Sequence, residues 1–338
     1  MKLILPDDKN IVWKNIAELT KLNGCFRPQR APQQWVKRFA EGAAWRCLQG
    51  ANVRMLLKTD SRFVGIRWKN AIEWGRFEVL GEVYCNGKIC TTFSCNPTSI
   101  IREDIFETTI GGENLWEIHF PWCAEINIES ILIDRGAKLF TVPKNTGDIM
   151  FVYGSSITQG FNATRASGTW PYITASLLGI DFYNFGLGGA AFYEKEIAEF
   201  IASRSDWKYL TVEAGTNTSG GYETPISYRK TLNTFLNTIR EKHPDAPILC
   251  FTSTYFIDHD EKGIKNNKGY LMEDYRAETR EVLRTRMKDD NKIFLAEGLD
   301  WVGSGKYLSD IIHPDDEGMR RIGTGVAEAW RKTIFFSS

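Results

Sequence analysis

The sequence predicts an α/β fold, a doubly wound parallel sheet preceded by an all-β sandwich domain. Three observations carry this. Residues from about 50 to 142 break into short segments rich in β-branched and aromatic side chains, several alternating apolar and polar. Near Pro143 the pattern changes, and the polar stretch KNTGD (144–148) reads as a linker. From Ile149 onward, continuous apolar runs alternate with segments of helical spacing, as a parallel sheet covered by helices requires. The expected domains are therefore residues 1–143 and 149–338.

In chain order, residues 1–49 are the least legible. WKNIAELT reads as a helical turn, and Pro28 and Pro32 break the stretch beyond it. VRMLLK (53–58), FVGIRW (63–68), FEVLGEVY (77–84), ICTTF (89–93), LWEIHF (115–120) and INIESILI (126–133) read as strands. Asn86-Gly87, two residues that tolerate positive φ, marks a hairpin. Many short strands joined by turns point to a jelly-roll-like sandwich. In the second half, IMFVY (149–153), DFYNFG (181–186), KYLTVEAG (208–215), APILCFTST (246–254) and KIFLAEG (292–298) read as strands. Helices are expected from Trp170 to Leu178 and over 227–242, 270–287 and 318–334. The result is a flavodoxin-like sheet, whose sites lie beyond the carboxyl ends of its strands.

Composition removes several function classes. Lys plus Arg and Asp plus Glu both number 42, so no basic excess points to nucleic acid. No apolar run approaches the length of a membrane span. The start, MKLILPDDKNIVW, is a poor signal peptide because two aspartates interrupt its apolar run, and a cytoplasmic location is expected. Seven cysteines cannot all pair within one chain, and no C-x-x-C occurs, so reduced thiols are expected rather than zinc or a redox pair.

The candidate chemistry lies at the strand ends. Gly154-Ser155-Ser156-Ile157-Thr158-Gln159-Gly160 follows the first, Asn184-Phe185-Gly186-Leu187-Gly188-Gly189 ends the second, and Gly215-Thr216-Asn217 follows the third. The loop before the closing helix holds Asp310-Ile311-Ile312-His313-Pro314. In a doubly wound sheet these places converge on one crevice. Acyl transfer needs a nucleophile, a base and donors for an oxyanion. Ser156 stands at a strand-to-helix turn, where its own backbone N–H also faces an oxyanion. Gly188 or Gly189 offers a second N–H, and Asn217 a side-chain amide. His313 suits the base, and Asp310 the group that fixes its tautomer.

These four blocks, over residues 149–334, resemble the SGNH (GDSL-like) hydrolases. The resemblance implies Ser156 as nucleophile rather than Ser155, with Asp310 and His313 as its partners. Ser156, Gly189 and Asn217 would form the oxyanion hole, with no cofactor and no metal. The sequence departs from the family pattern at Ser155, where the first block carries an aspartate, and at Thr218, where the third carries a second acid. The Gly-Ser-Ser-Ile-Thr-Gln-Gly form is similar to a subgroup in which a β-sandwich precedes the hydrolase domain. That subgroup implies a serine esterase acting on short-chain acyl esters, with O-acetyl carbohydrate as a substrate class, or an acyltransferase, thioesterase or lipase on the same machinery. The oligomeric state is not set by the sequence.

Competing readings are weaker. A phosphate loop would need Gly-Lys-Ser/Thr, which is absent, and a nucleotide site leaves Asp310 and His313 unexplained. A catalytically dead binding module leaves the four intact blocks unexplained. His119 reads as packed, and His243 as a cation at a helix end. Asp258-His259-Asp260 lacks a further ligand nearby for a metal site. Trp35, Trp45, Trp68, Trp74, Trp116, Trp122 and Trp170 read as core more readily than as sugar platforms.

Overall fold

The computed structural model describes residues 1–72, 80–94, 98–143 and 147–333. Trp74, residues 77–79 of the FEVLGEVY segment, Cys95, linker positions 144–146 and residues 334–338 lie outside them. The chain divides into two compact units that are each discontinuous in sequence. One comprises Met1–Gln34, Cys47–Thr146 and Thr164–Ser167; the other comprises Trp35–Arg46, Gly147–Ala163 and Gly168–Ser338.

The first unit is a sandwich of two antiparallel sheets. One runs Glu18–Leu22, Cys25–Gln29, Ala124–Ile133, Phe63–Ile72, Thr98–Glu107, with Lys2–Ile4 also paired to Ala124–Ile133. The other runs Leu139–Phe140, Arg54–Thr59, Asn114–His119, Leu80–Cys85, Lys88–Ser94, with Ile11–Lys14 paired to Arg54–Thr59. The period of two seen in the sequence is the reason: Met55 and Leu57 are fully buried while their neighbours are half-exposed. They share one apolar core with Ile66, Trp68, Trp116 and Ile128. Cys85 pairs with Lys88 across Asn86 and Gly87, both at positive φ (51° and 76°), which is the two-residue hairpin expected there. Thr164–Ser167 joins this unit because buried Glu82 accepts from the Ser167 N–H and Oγ–H at 2.7 and 2.8 Å.

The N-terminal expectation is corrected. WKNIAELT is not a helical turn: Trp13 and Lys14 end a strand, Asn15 reverses the chain at φ 61°, and Glu18 begins the next strand. Asparagine reaches the left-handed region at low cost, and that turn overrode the helical spacing. Pro28 does not break the chain either. It lies inside Cys25–Gln29, opposite Leu19.

Among the described residues, the second unit holds five parallel strands, Ile149–Gly154, Asp181–Gly186, Tyr209–Ala214, Ile248–Thr252 and Ile293–Ala296. Their spatial order is second, first, third, fourth, fifth. The order reverses beside the first strand, which is where such sheets open a crevice. Met150 and Val152 face Trp170, Ile322 and Trp330 in one apolar layer. Phe151 and Tyr153 face the opposite way, onto Tyr183, Phe185 and Phe235. Helices Trp170–Leu178 and Asp316–Arg331 pack together, as do Lys195–Ser203 with Pro225–Lys242 and Pro225–Lys242 with Met272–Arg286. Helix Lys195–Ser203 and the short helices Gln33–Val36 and Glu41–Arg46 were not foreseen from the sequence. The segment Trp35–Arg46 belongs to this unit because its aromatic rings meet the sheet's covering helix: Trp35 and Phe39 lie 5.7 and 5.8 Å from Phe200, and Phe39 lies 6.2 Å from Phe185.

Candidate active site

Ser156 opens a single helical turn, Ser156–Gln159, directly beyond strand Ile149–Gly154. Its Oγ lies 2.8 Å from His313 Nε2, across 157 positions of sequence. His313 Nδ1 lies 2.8 Å from Asp310 Oδ2. An ionised aspartate accepts only, so Nδ1 carries the proton and the Nε2 lone pair faces the serine hydroxyl. The side chains of Asp310 and His313 are mostly shielded from solvent, 13% and 16% exposed.

Asp310 is itself held by several donors. Its Oδ1 accepts from the backbone N–H of Ile312 and His313 at 2.9 and 2.8 Å, a local turn of the kind aspartate favours. Its Oδ2 accepts from Asn162 Nδ2 at 3.1 Å in addition to His313. Burial pushes this carboxyl up, but hydrogen bonds from the His313 ring and from the two backbone N–H groups, with the attraction of His313, hold it well below the usual carboxylate range. Phe161 stacks on the His313 ring at 5.4 Å and restricts its rotation.

The serine next to the nucleophile position has a different role. Ser155 Oγ accepts from the Ile157 N–H at 3.1 Å, capping the turn, and donates to Glu213 Oε1 at 2.6 Å. Glu213 is 1% exposed and gathers the whole turn. It also accepts from Ser155 N–H (3.1 Å), Thr158 N–H (3.2 Å), Thr158 Oγ1 (2.5 Å) and Thr216 Oγ1 (2.7 Å). A buried carboxylate is tolerable only when its lone pairs are filled, and five donors fill them. The acid absent from position 155 thus has a counterpart on the adjacent strand Tyr209–Ala214. Thr218, at the other departure, closes its own loop by donating to Gly215 O at 2.9 Å.

The second and third blocks meet beside Ser156. A side-chain carbon at Gly188 would come within 2.9 Å of the Phe161 ring and 3.3 Å of Ser156 Cβ, so only glycine lets this backbone approach. Gly188 N–H donates to Gln159 Oε1 at 2.8 Å. Gly189 follows at φ 71°. Asn217 Oδ1 accepts from Ala191 N–H at 3.0 Å, which orients the carboxamide and leaves Nδ2 as the end available to an oxyanion. Asn184 ties the blocks together, donating to Thr158 O and accepting from Gly186 N–H, both at 2.8 Å. Tyr193, at φ 60°, accepts from Gly215 N–H at 2.7 Å and donates to Glu213 O at 2.8 Å. Burial pushes its phenol well up, so it remains a donor.

All five residues expected at the site therefore lie in one unit. Ser156, His313 and Asp310 form one hydrogen-bonded chain, and Gly189 and Asn217 sit in the two loops beside it. Sequence reasoning missed Glu213, Asn162 and Gln159. Glu213 had a signal: it is the one carboxylate in the otherwise uncharged stretch YLTVEAG. His119 is buried against Glu117, and His243 bonds to Ala202 O. In Asp258-His259-Asp260, Asp260 is paired with Arg276, and His259 stacks on Phe256. Among the described residues no cluster of three metal-ligating side chains occurs. Trp68, Trp116, Trp122 and Trp170 are fully buried and present no face to a sugar.

A sequence model of the GDSL-like lipase/acylhydrolase family matches residues 152–321. The chain belongs to this family. It is an ester hydrolase by that membership, and its matched region spans the four blocks described above. The SGNH acylhydrolase is similar in fold, over 97% of its length, to the salicylyl-acyltransferase SsfX3 of a tetracycline biosynthetic pathway (96% of that chain, TM-score 0.87, 20% identity). It is similar over its full length to a family two carbohydrate esterase from Cellvibrio japonicus (99% of that chain, TM-score 0.68, 16% identity). A family two carbohydrate esterase from Clostridium thermocellum, solved with cellohexaose, matches 85% of the acylhydrolase and 94% of its own chain (TM-score 0.67, 14% identity). No curated protein sequence gives a significant match. Among the described residues no helix is long and apolar enough to cross a membrane.

Proposed function

We propose that this acylhydrolase is a serine esterase that removes short acyl groups, O-acetyl groups on carbohydrate among them, through an acyl-enzyme on Ser156. The observation that carries the reading is the unbroken Ser156–His313–Asp310 chain, 2.8 Å at each link. The carbohydrate part is supported by the esterases among its structural neighbours.

The steps follow from the geometry. Ser156 Oγ bonds to the acyl carbon as its proton passes to His313 Nε2. Asp310 stabilises the imidazolium that forms. The carbonyl oxygen, now an anion, accepts from the N–H groups of Ser156 and Gly189 and from Asn217 Nδ2. The ester C–O bond then breaks, and His313 returns its proton to the departing alcohol. Water attacks the acyl-enzyme in the same way, giving up a proton to His313, and the carboxylic acid leaves as Ser156 regains its hydrogen. Apart from the attacking water, the groups in these steps are the chain's own side chains and backbone.

Acyl transfer to an alcohol is a second reading. It differs only in what attacks the acyl-enzyme, and an acyltransferase matches the fold over nearly the whole chain. The test is turnover of p-nitrophenyl acetate and of acetylated oligosaccharide by the wild-type chain and by Ser156→Ala, with and without an alcohol acceptor. Loss of all turnover in a folded Ser156→Ala supports the nucleophile, and retained turnover removes it. Preference for acetyl over longer acyl groups supports the substrate class, and preference for the acceptor over water selects transfer.

A further inference from the structure

The peptide group between Gly188 and Gly189 has two ends with different uses. Its N–H belongs to Gly189, the oxyanion donor in the function proposed above, on which this inference rests. Its C=O belongs to Gly188, and that oxygen accepts from Arg46 Nε at 2.7 Å, within the buried interior of the second unit. The two groups lie in one planar, conjugated unit, so whatever holds the oxygen also aims the hydrogen. A hydrogen bond from a cation to the oxygen draws electron density along the peptide and makes the N–H a better donor.

We infer that Arg46 is a positioning residue that orients and polarises the Gly188–Gly189 peptide for oxyanion binding. The surroundings are built to keep the guanidinium in place. Arg46 is 7% exposed, ends the short helix Glu41–Arg46, and lies 4.4 Å from the Trp45 ring and 5.1 Å from the Phe161 ring. Phe161 in turn stacks on His313, so one aromatic ring separates the guanidinium from the imidazole. Gly188 is pinned from both ends, its N–H by Gln159 and its C=O by Arg46. Gly189 follows at φ 71° and is exposed, whereas Gly188 is buried.

An alkyl side chain at position 46 removes the charge and the donor together. For Arg46→Met, kcat on p-nitrophenyl acetate is expected to fall about tenfold or more, with KM within about threefold of wild type, because the lost interaction strengthens only when the oxyanion forms. Affinity for an aryl trifluoromethyl ketone, which adds to the serine and leaves an oxyanion in the hole, is expected to fall by the same factor as kcat/KM. A residue that merely supports the fold would not couple those two losses. Arg46→Gln, which keeps a neutral donor, is read the same way if the methionine variant does not fold, with an intermediate loss expected. A folded variant with kcat within about twofold of wild type overturns the inference, as does a loss confined to KM or one not matched by the ketone. A Ser156→Ala variant that keeps turnover overturns the underlying site instead, so the two failures are told apart.

Discussion

Ser155 Oγ donates to Glu213 Oε1 at 2.6 Å, from a serine adjacent to the one that faces His313. The bond turns the first hydroxyl of the pair into a tether and leaves the second for His313.

That tether makes Glu213 the first residue to test. Glu213→Gln places an amide NH2 among donors, leaving at least one of the five without an acceptor. An unsatisfied buried donor costs on the order of 1–3 kcal/mol. The expected outcome is a lower unfolding midpoint in denaturant and a kcat reduced about tenfold to a hundredfold, because the turn carrying Ser156 loses its anchor. Equilibrium unfolding and steady-state kinetics on the same preparation check both.

Asn217→Ala removes a proposed oxyanion donor without touching the serine–histidine pair. Loss of one such donor costs roughly a hundredfold to a thousandfold in kcat. KM should change little, and the rate at which a fluorophosphonate probe phosphonylates the active serine, a step that also builds negative charge in the hole, should fall in step with kcat.

Asp310→Asn tests the histidine's orientation and has a pH signature. An amide presents no charge to the imidazolium, so kcat at neutral pH is expected to fall about a thousandfold or more. The native carboxyl is held below its ordinary value, so its ionised form stabilises the fold at every pH above about 4, the unfolded range for aspartate. That contribution is lost as pH falls through the lower, native-state value. The gap in melting temperature between wild type and Asp310→Asn should therefore narrow as pH falls below about 4. A gap that keeps widening below that pH would contradict the assignment.

A chain cut to begin at residue 147 lacks Trp35–Arg46, and with it the rings that cover Phe185 and Phe200. Exposing those aromatics should cost several kcal/mol by area. The truncated chain is expected to bind a hydrophobic dye and melt far below the full-length one. Supplying Trp35–Arg46 as a linked segment should recover part of the loss.

The sheet of the second unit was legible because each parallel strand is a continuous apolar run and each site loop sits at a strand end. The helix Trp170–Leu178 and strand Asp181–Gly186 fall where the pattern places them. Residues 1–49 were not legible, for two physical reasons. Their strands are three to five residues long, too short to establish a period. The segment Trp35–Arg46 also packs by aromatic contact far along the chain, which no local spacing encodes. At the site, the reacting set was readable as residue types in order. Of the groups behind it, Glu213 left only the trace of a lone carboxylate in an apolar strand, and Asn162 and Arg46 left none, because a supporting role depends on neighbours brought together only by folding.

The aromatic clasp of Trp35 and Phe39 on Phe200 has a bearing on how this protein is made and how it has been assembled over time. During synthesis the segment Trp35–Arg46 leaves the ribosome well over a hundred positions before the helix it covers, so it waits unpartnered while strands around it are translated. In gene recombination, the hydrolase half is not a cassette that travels by itself. A crossover placed at residue 147 separates a catalytic core from a piece of its own wall, so exchange of the sandwich must either carry that insert along or find a replacement for it.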